Sequence, residues 1–283
     1  MAGIGALVYP LAADWFSTLG HDAKRSGYVR EVDRMSTEER SAALLAAREY
    51  NSVLPESLLL DPYASEDTAL DPAAQPAYRA YEDVLRVNGT DVLGELSYPR
   101  LNIALPLFPG TEQQALASGA GHLYGSSLPV GGPSTHAVLT SHSGLIHASL
   151  FTKLPDAKAG DVFELRVLGE TLYYEVDNIE TVEPFVTESL RVTEGEDRVT
   201  LFTCTPIGVN SHRLLVSGVR TDPPQGSDRT VGGDGRTAGF PWWAVAFVGG
   251  SGAVAYLLFA PTRPKGAGRG AAAIGAAVEK RES

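Results

Sequence analysis

One thiol, Cys204, stands in a chain of 283 residues, and its neighbours decide whether it is packing or a nucleophile. A single cysteine permits neither an intramolecular disulfide nor a CxxC metal site. It follows the run Val199-Thr200-Leu201-Phe202-Thr203, which reads as a strand, and Arg213 opens another, Leu214 to Val219, after the loop Thr205 to His212. If these strands pair as a hairpin, the thiol and the guanidinium face each other. A fixed positive charge favours thiolate over thiol, and forked donors suit an acyl oxygen that gains charge during attack. His142 ends a third strand-like run, His136 to Ser141. Three such strand ends can provide nucleophile, proton carrier and oxyanion clamp. Taken singly, each group has a blander reading: a packed cysteine, a structural histidine, a solvated arginine. On residue types and spacing alone both readings stay open.

The elements that must position these groups follow from pattern. Ser36 and Glu39 form a capping box ahead of an Ala-, Leu- and Glu-rich helix over Thr37 to Val53. An extended segment with Pro55, Asp61-Pro62, Asp71-Pro72 and Pro76 comes next, then a short helix over Ala77 to Val87. After Gly89 the texture changes to short apolar runs with frequent turn residues. Val92 to Leu107 alternates around Pro99 and Pro106, and Thr111 is the expected cap of a short helix ending at Ser118. Phe163, Leu165 and Val167 alternate with polar residues, and a second alternating run covers Thr171 to Val176. Gly169-Glu170 is read as the two-residue turn between them. The sum predicts a mostly β fold: an antiparallel domain over 90–221, closed into a barrel, with helices before it and in its loops.

Outside that domain, Thr237 to Thr262 carries no charged residue, and Phe240 to Ala260 is long enough to cross a bilayer. Trp242, Trp243 and Tyr256 lie near its ends, where aromatic rings favour the headgroup level. Arg263, Lys265, Arg269, Lys280 and Arg281 follow, so the positive-inside rule puts the C-terminus in the cytoplasm and the preceding domain outside. Residues 222–239 read as a Gly-, Pro- and Asp-rich linker and 261–283 as a cytoplasmic tail. The apolar stretch in 1–19, interrupted by Pro10 and Asp14, is either the remnant of a signal or anchor helix or a simple strand or helix turn. Residues 20–89 form a helical region ahead of the barrel. A net charge of −11 argues against nucleic acid as a partner.

Thr200-Leu201-Phe202-Thr203-Cys204, continued through Thr205-Pro206 to Arg213-Leu214-Leu215-Val216, resembles the cysteine signature of the sortase family. Leu139-Thr140-Ser141-His142-Ser143-Gly144 is similar to the family's histidine motif, with Ser141 where glycine is usual. Leu101 to Leu107 and Gly119 to Pro129 match further landmarks in order, so the likeness spans about 90–220. Thr205-Pro206, the apolar helix after the domain, and Asp61-Pro62-Tyr63 resemble the class C, pilin-polymerising branch. That branch carries a lid whose acid meets the catalytic arginine and whose ring covers the cysteine. Tyr63 stands where Phe or Trp is common, and Asp71-Pro72 is followed by Ala73, so it supplies no ring.

The resemblance implies a sortase-like barrel with Cys204 as nucleophile, His142 as proton carrier and Arg213 as oxyanion clamp. Thr203 would support the oxyanion through backbone or hydroxyl, although strand propensity alone explains a threonine there. The implied donor is a pilin or surface protein with an LPXTG-like sorting signal, cleaved between Thr and Gly, and the implied acceptor is a pilin lysine. Two alternatives remain: a housekeeping sortase using a cell-wall precursor amine, and a non-catalytic, membrane-tethered domain that binds wall proteins. No cofactor or metal is implied. His122 is expected to be a structural histidine, His212 a turn-exposed one, and His136 one that points toward the barrel wall.

Overall fold

The alternating runs fold into eight strands that close on one another. The computed structural model describes residues 2–54, 63, 76–224 and 238–260. Asp61 and Pro62 of the expected lid, most of the expected linker over 222–239 and the expected tail over 261–283 lie outside the described residues.

Three helices precede the barrel: α1 (Ala2–Arg34), α2 (Thr37–Ser52) and α3 (Pro76–Val84). Helix α1 runs unbroken through Pro10 and past residue 20, so the apolar N-terminal stretch is neither a strand nor a lone turn. The capping box of α2 forms as expected: Ser36 Oγ accepts from the Glu39 N–H at 3.1 Å, and the Glu39 carboxylate accepts from the Ser36 N–H at 2.7 Å. A cap of this kind is worth about 1 kcal/mol. Tyr28, Val32, Leu44, Ala47, Tyr78 and Tyr81 from the three helices are buried together against one flank of the barrel.

The barrel comprises β1 (Gly94–Tyr98), β2 (Ile103–Pro109), β3 (Ala120–His122), β4 (Thr135–Thr140), β5 (Val162–Val167), β6 (Glu170–Val182), β7 (Asp197–Thr205) and β8 (His212–Thr221), with a short helix, α4 (Gln113–Ser118), between β2 and β3. It closes in the order β1-β2-β3-β4-β7-β8-β6-β5. Most ladders are antiparallel as expected, but β2 with β3 and β4 with β7 run parallel. Alternation sends Val199 and Leu201 of β7 into the barrel core with Leu139, Phe163 and Val216, while Phe202 packs outside with Val138 and Leu215.

Two local expectations shift. Val167 pairs with Glu170, so the β5–β6 turn is Leu168-Gly169, one residue earlier than read, with φ of 48° and 85°. Leucine tolerates this left-handed geometry because its side chain is buried among the helices and its N–H donates to Tyr28 Oη at 2.8 Å. The N-cap of α4 is Glu112 rather than Thr111, without a side-chain cap, because its carboxylate accepts from Tyr78 Oη at 2.5 Å.

After the barrel comes α5 (Trp242–Phe259), 18 residues without a charge. At 1.5 Å per residue it is about 27 Å long. Among the described residues it is one helix long and apolar enough to cross a membrane.

Candidate active site

The parallel ladder between β4 and β7 explains how three distant residues meet. Parallel strands finish at the same end of the barrel, and β8, antiparallel to β7, begins there. Thr140 is in register with Phe202, and the Ser141 N–H donates to Phe202 O at 3.3 Å, continuing the pairing one step. His142 and Cys204 each lie two residues beyond that pair, on the same outer face. Across the hairpin, Cys204 is the register partner of Arg213, as the spacing implied. The structure thus brings Cys204, Arg213 and His142 to one rim.

Both members of the hairpin pair are nearly enclosed, with Cys204 8% and Arg213 6% exposed. Arg213 Nη1 donates to Asn210 O at 3.0 Å and His212 O at 3.2 Å, which fixes the guanidinium against its own loop. The Thr205-Pro206 bond in that loop is cis. Burial lowers the pKa of His142 from the ordinary imidazole value, and the neighbouring His147 lowers it further. The neutral ring is therefore favoured near pH 7. Its Nε2 is buried and has no hydrogen-bond partner among the described residues.

Tyr63 sits on this rim. Its ring stacks on Phe202 with centroids 5.9 Å apart and planes within 4°, and lies 5.6 Å from the His142 ring. The Arg213 guanidinium carbon is 5.5 Å from the same ring centroid, within cation–π range. Thr140 Oγ1 donates to Tyr63 Oη at 2.7 Å, a bond that Phe or Trp could not accept. Asp61 and Pro62, beside it in sequence, lie outside the described residues.

Thr203 is placed differently. It is fully buried, alternates to the inner face away from Cys204, and its hydroxyl donates to Ser141 O at 2.7 Å. The hydroxyl ties β7 to the end of β4, which leaves only the backbone route for oxyanion support. The other histidines behave as read: His122 Nδ1 is 2.8 Å from Tyr81 Oη and its Nε2 is 2.8 Å from Ser127 O, while burial lowers its pKa to about 4. His136 lies 2.7 Å from Thr200 Oγ1 on the outer face, and His212 is exposed.

Sequence reasoning passed over several residues that build the rim. Ser143 Oγ donates to Cys204 O at 2.8 Å and so joins the histidine loop to the cysteine strand. Gly144 has φ 73°, and a Cβ there would run into Ile207 Cγ2, so the two loops interlock around glycine. Thr140 and Phe202 were legible in principle, because they precede His142 and Cys204 by one strand period.

Comparison with known proteins agrees with this arrangement. A family model described as the sortase domain matches residues 96–221, from β1 to the end of β8. The crystal structure of sortase C-1 from Actinomyces oris is 44% identical with a TM-score of 0.60, covering 65% of this chain and 99% of that one. The pilus-related sortase C of Group B Streptococcus is 40% identical with a TM-score of 0.63, covering 70% of this chain and 96% of that one. Sortase A of Streptococcus agalactiae serotype III is 32% identical over 117 residues, 40% of this chain and 47% of that protein. The chain spans about half the length of the curated relatives it matches. A closed barrel with these motifs at one rim, matched along nearly the whole of a 44% identical structure, means that the chain belongs to the sortase family.

Proposed function

We propose that the protein is a membrane-anchored cysteine transpeptidase of the class C, pilin-polymerising kind. The observation that carries the reading is the register pair Cys204–Arg213 with His142 at the same strand end. In the first half-reaction the Cys204 sulfur attacks the threonine carbonyl carbon of an LPXTG-like sorting signal. His142, favoured neutral by burial, takes the thiol proton, and the Arg213 fork meets the oxygen that becomes negative. Collapse breaks the Thr–Gly bond, and His142 returns its proton to the departing glycine amine, leaving a thioacyl enzyme. In the second half-reaction a pilin lysine amine attacks the thioester. His142 takes its proton, and the leaving thiolate is freed for another cycle as the isopeptide bond forms. Transfer of that proton from the imidazolium to the Cys204 thiolate then restores the thiol and the neutral imidazole.

The lid reading, Asp61-Pro62-Tyr63, gains support from Tyr63 lying over His142, Phe202 and Arg213. Such a ring must leave before a peptide can reach the sulfur. Likeness to the pilus-related sortase C of Group B Streptococcus favours a pilin acceptor over a cell-wall amine.

The test incubates the full chain with a sorting-signal peptide and a panel of amines, pilin lysine and cell-wall precursor mimics among them. Isopeptide product with the pilin lysine is expected. Product only with the precursor amine would instead make it a housekeeping sortase. No product, together with a Cys204 no more reactive to alkylation than free cysteine, would make it a binding domain. For orientation, a cysteine introduced at Gly232 in a Cys204→Ala background should react with an impermeant maleimide in intact cells, and one at Gly270 should not. The opposite pattern would invert the topology.

A further inference from the structure

We infer that the loop carrying His142 rests on the lipid headgroups of the membrane that α5 crosses, so that the reactive rim faces the bilayer surface. This rests on the membrane-anchor reading above and adds where the barrel sits relative to the anchor.

The argument begins with the pairing of the terminal helices. The first twelve residues of α1, Ala2 to Ala13, carry no charge, and Leu7 and Leu11 are 80% and 64% exposed. This half of α1 lies along α5, with Phe247 3.9 Å from a Cβ built at Gly5 and Ile4 3.7 Å from one at Gly250. On α5, Val248, Leu257 and Phe259 are likewise exposed. Side chains of this kind, uncovered by protein on two adjoining helices, are what lipid tails cover.

The pair ends in an aromatic cluster. The rings of Trp15, Phe16 and Trp243 stand 5.0–6.0 Å apart, and Trp15 Nε1 donates to Gly239 O at 2.7 Å. Aromatic rings and the first charge, Asp14, mark the headgroup level on such a helix. At that level Asp14 Oδ1 accepts from the Ser149 N–H at 2.7 Å. Ser149 belongs to the loop after His142, and the Phe151 N–H donates back to His142 O at 3.0 Å. The loop buries Ala148 and Leu150 in the barrel and turns Ile146 outward, 68% exposed.

The height of the loop is fixed by a helix rather than a tether. Farther along α1, Lys24 pairs with Asp91 at 2.9 Å, Arg25 lies 3.7 Å from Glu95 of β1, and Tyr28 Oη accepts from Leu168 N–H. One continuous rod thus links the aromatic level to the barrel. An acyl donor that is itself embedded in the membrane meets the rim just where it leaves the lipid.

The test uses the full chain in a Cys204→Ala background, which removes the native thiol. Single cysteines replace Ile146, His147, Ala253 in α5, or Glu194 at the opposite end of the barrel, and each carries a polarity-sensitive dye. The proteins are reconstituted in vesicles of phosphatidylcholine and phosphatidylglycerol containing spin-labelled lipid, at the headgroup or mid-chain. Quenching of Ala253→Cys by mid-chain label, and of Ile146→Cys and His147→Cys by headgroup label with Glu194→Cys unaffected, is the expected result. If Ala253→Cys is quenched and both loop positions are as unaffected as Glu194→Cys, the proposal is overturned while the anchor stands. If Ala253→Cys is not quenched, the anchor reading fails and the proposal with it.

Discussion

Two histidines, one on β3 and one just past the end of β4, differ in how their rings are held. His122 on β3 is fully enclosed, and each ring nitrogen has a partner: Tyr81 Oη on one side, Ser126 Oγ and Ser127 O on the other. His142 at the end of β4 is only half-buried, yet its Nε2 is enclosed without a hydrogen bond among the described residues. Burial lowers the pKa of both. Satisfaction is therefore the informative difference, since a native fold rarely leaves a buried polar atom unmatched without a use for it. The Tyr81–His122 network fastens α3 to the barrel, whereas among the described residues no such network holds His142 Nε2.

The strongest way to break the comparison is to remove the rim's proposed nucleophile. Cys204→Ala is expected to abolish cleavage of a sorting-signal peptide while moving the thermal midpoint by less than about 4 °C. Turnover above background in the purified variant would refute the assignment. Arg213→Lys keeps the charge but loses the planar fork, so turnover should fall by about 10²–10³. Near-normal single-turnover rates would reduce Arg213 to a bystander.

At the structural histidine the cost should appear in stability instead. His122 has a folded pKa of about 4 against an unfolded value near 6.5, so the unfolded chain binds more protons between these values. Its contribution is complete above pH 6.5 and is lost as pH falls toward 4, to the extent of about 3 kcal/mol. Urea midpoints at pH 7 and pH 4.5 should show this loss, and His122→Ala should be less stable at pH 7 by about 2–4 kcal/mol with a flatter pH response. An unchanged pH response in that variant would locate the acid sensitivity elsewhere. The smallest effect belongs to Tyr63→Phe, which keeps the ring and deletes the hydrogen bond from Thr140. Losing about 1 kcal/mol should speed alkylation of Cys204 about fivefold. No change would mean that the hydroxyl does not hold the ring down.

Much of this was legible in local pattern. The capping box at Ser36 and Glu39, the hairpin that pairs Cys204 with Arg213, and the strand ending at His142 all follow from residue types a few positions apart. What escaped depended on distant chain. No nearby residue announces that β4 and β7 run parallel, because parallel partners are joined through an intervening crossover. The β5–β6 turn slipped by one residue because Tyr28, far away on α1, supplies an acceptor to the Leu168 N–H. Likewise Glu112 displaced Thr111 as the α4 cap through its bond to Tyr78. The unbroken length of α1 was obscured by Pro10 and Asp14, which read locally as a stop.

The parallel ladder also governs when the enzyme can first act. Thr203 and Ser141, the residues that stitch β7 to the end of β4, are 62 positions apart in the chain. Closing a span of that size carries a loop-entropy cost before any contact repays it, so such pairings form late in folding. During refolding, then, the sulfur should acquire the reactivity set by its surroundings only with the slowest step, and pulse alkylation would time that event. An emerging polypeptide consequently carries a thiol but no assembled catalyst, and the topology itself postpones activity until the molecule has finished folding.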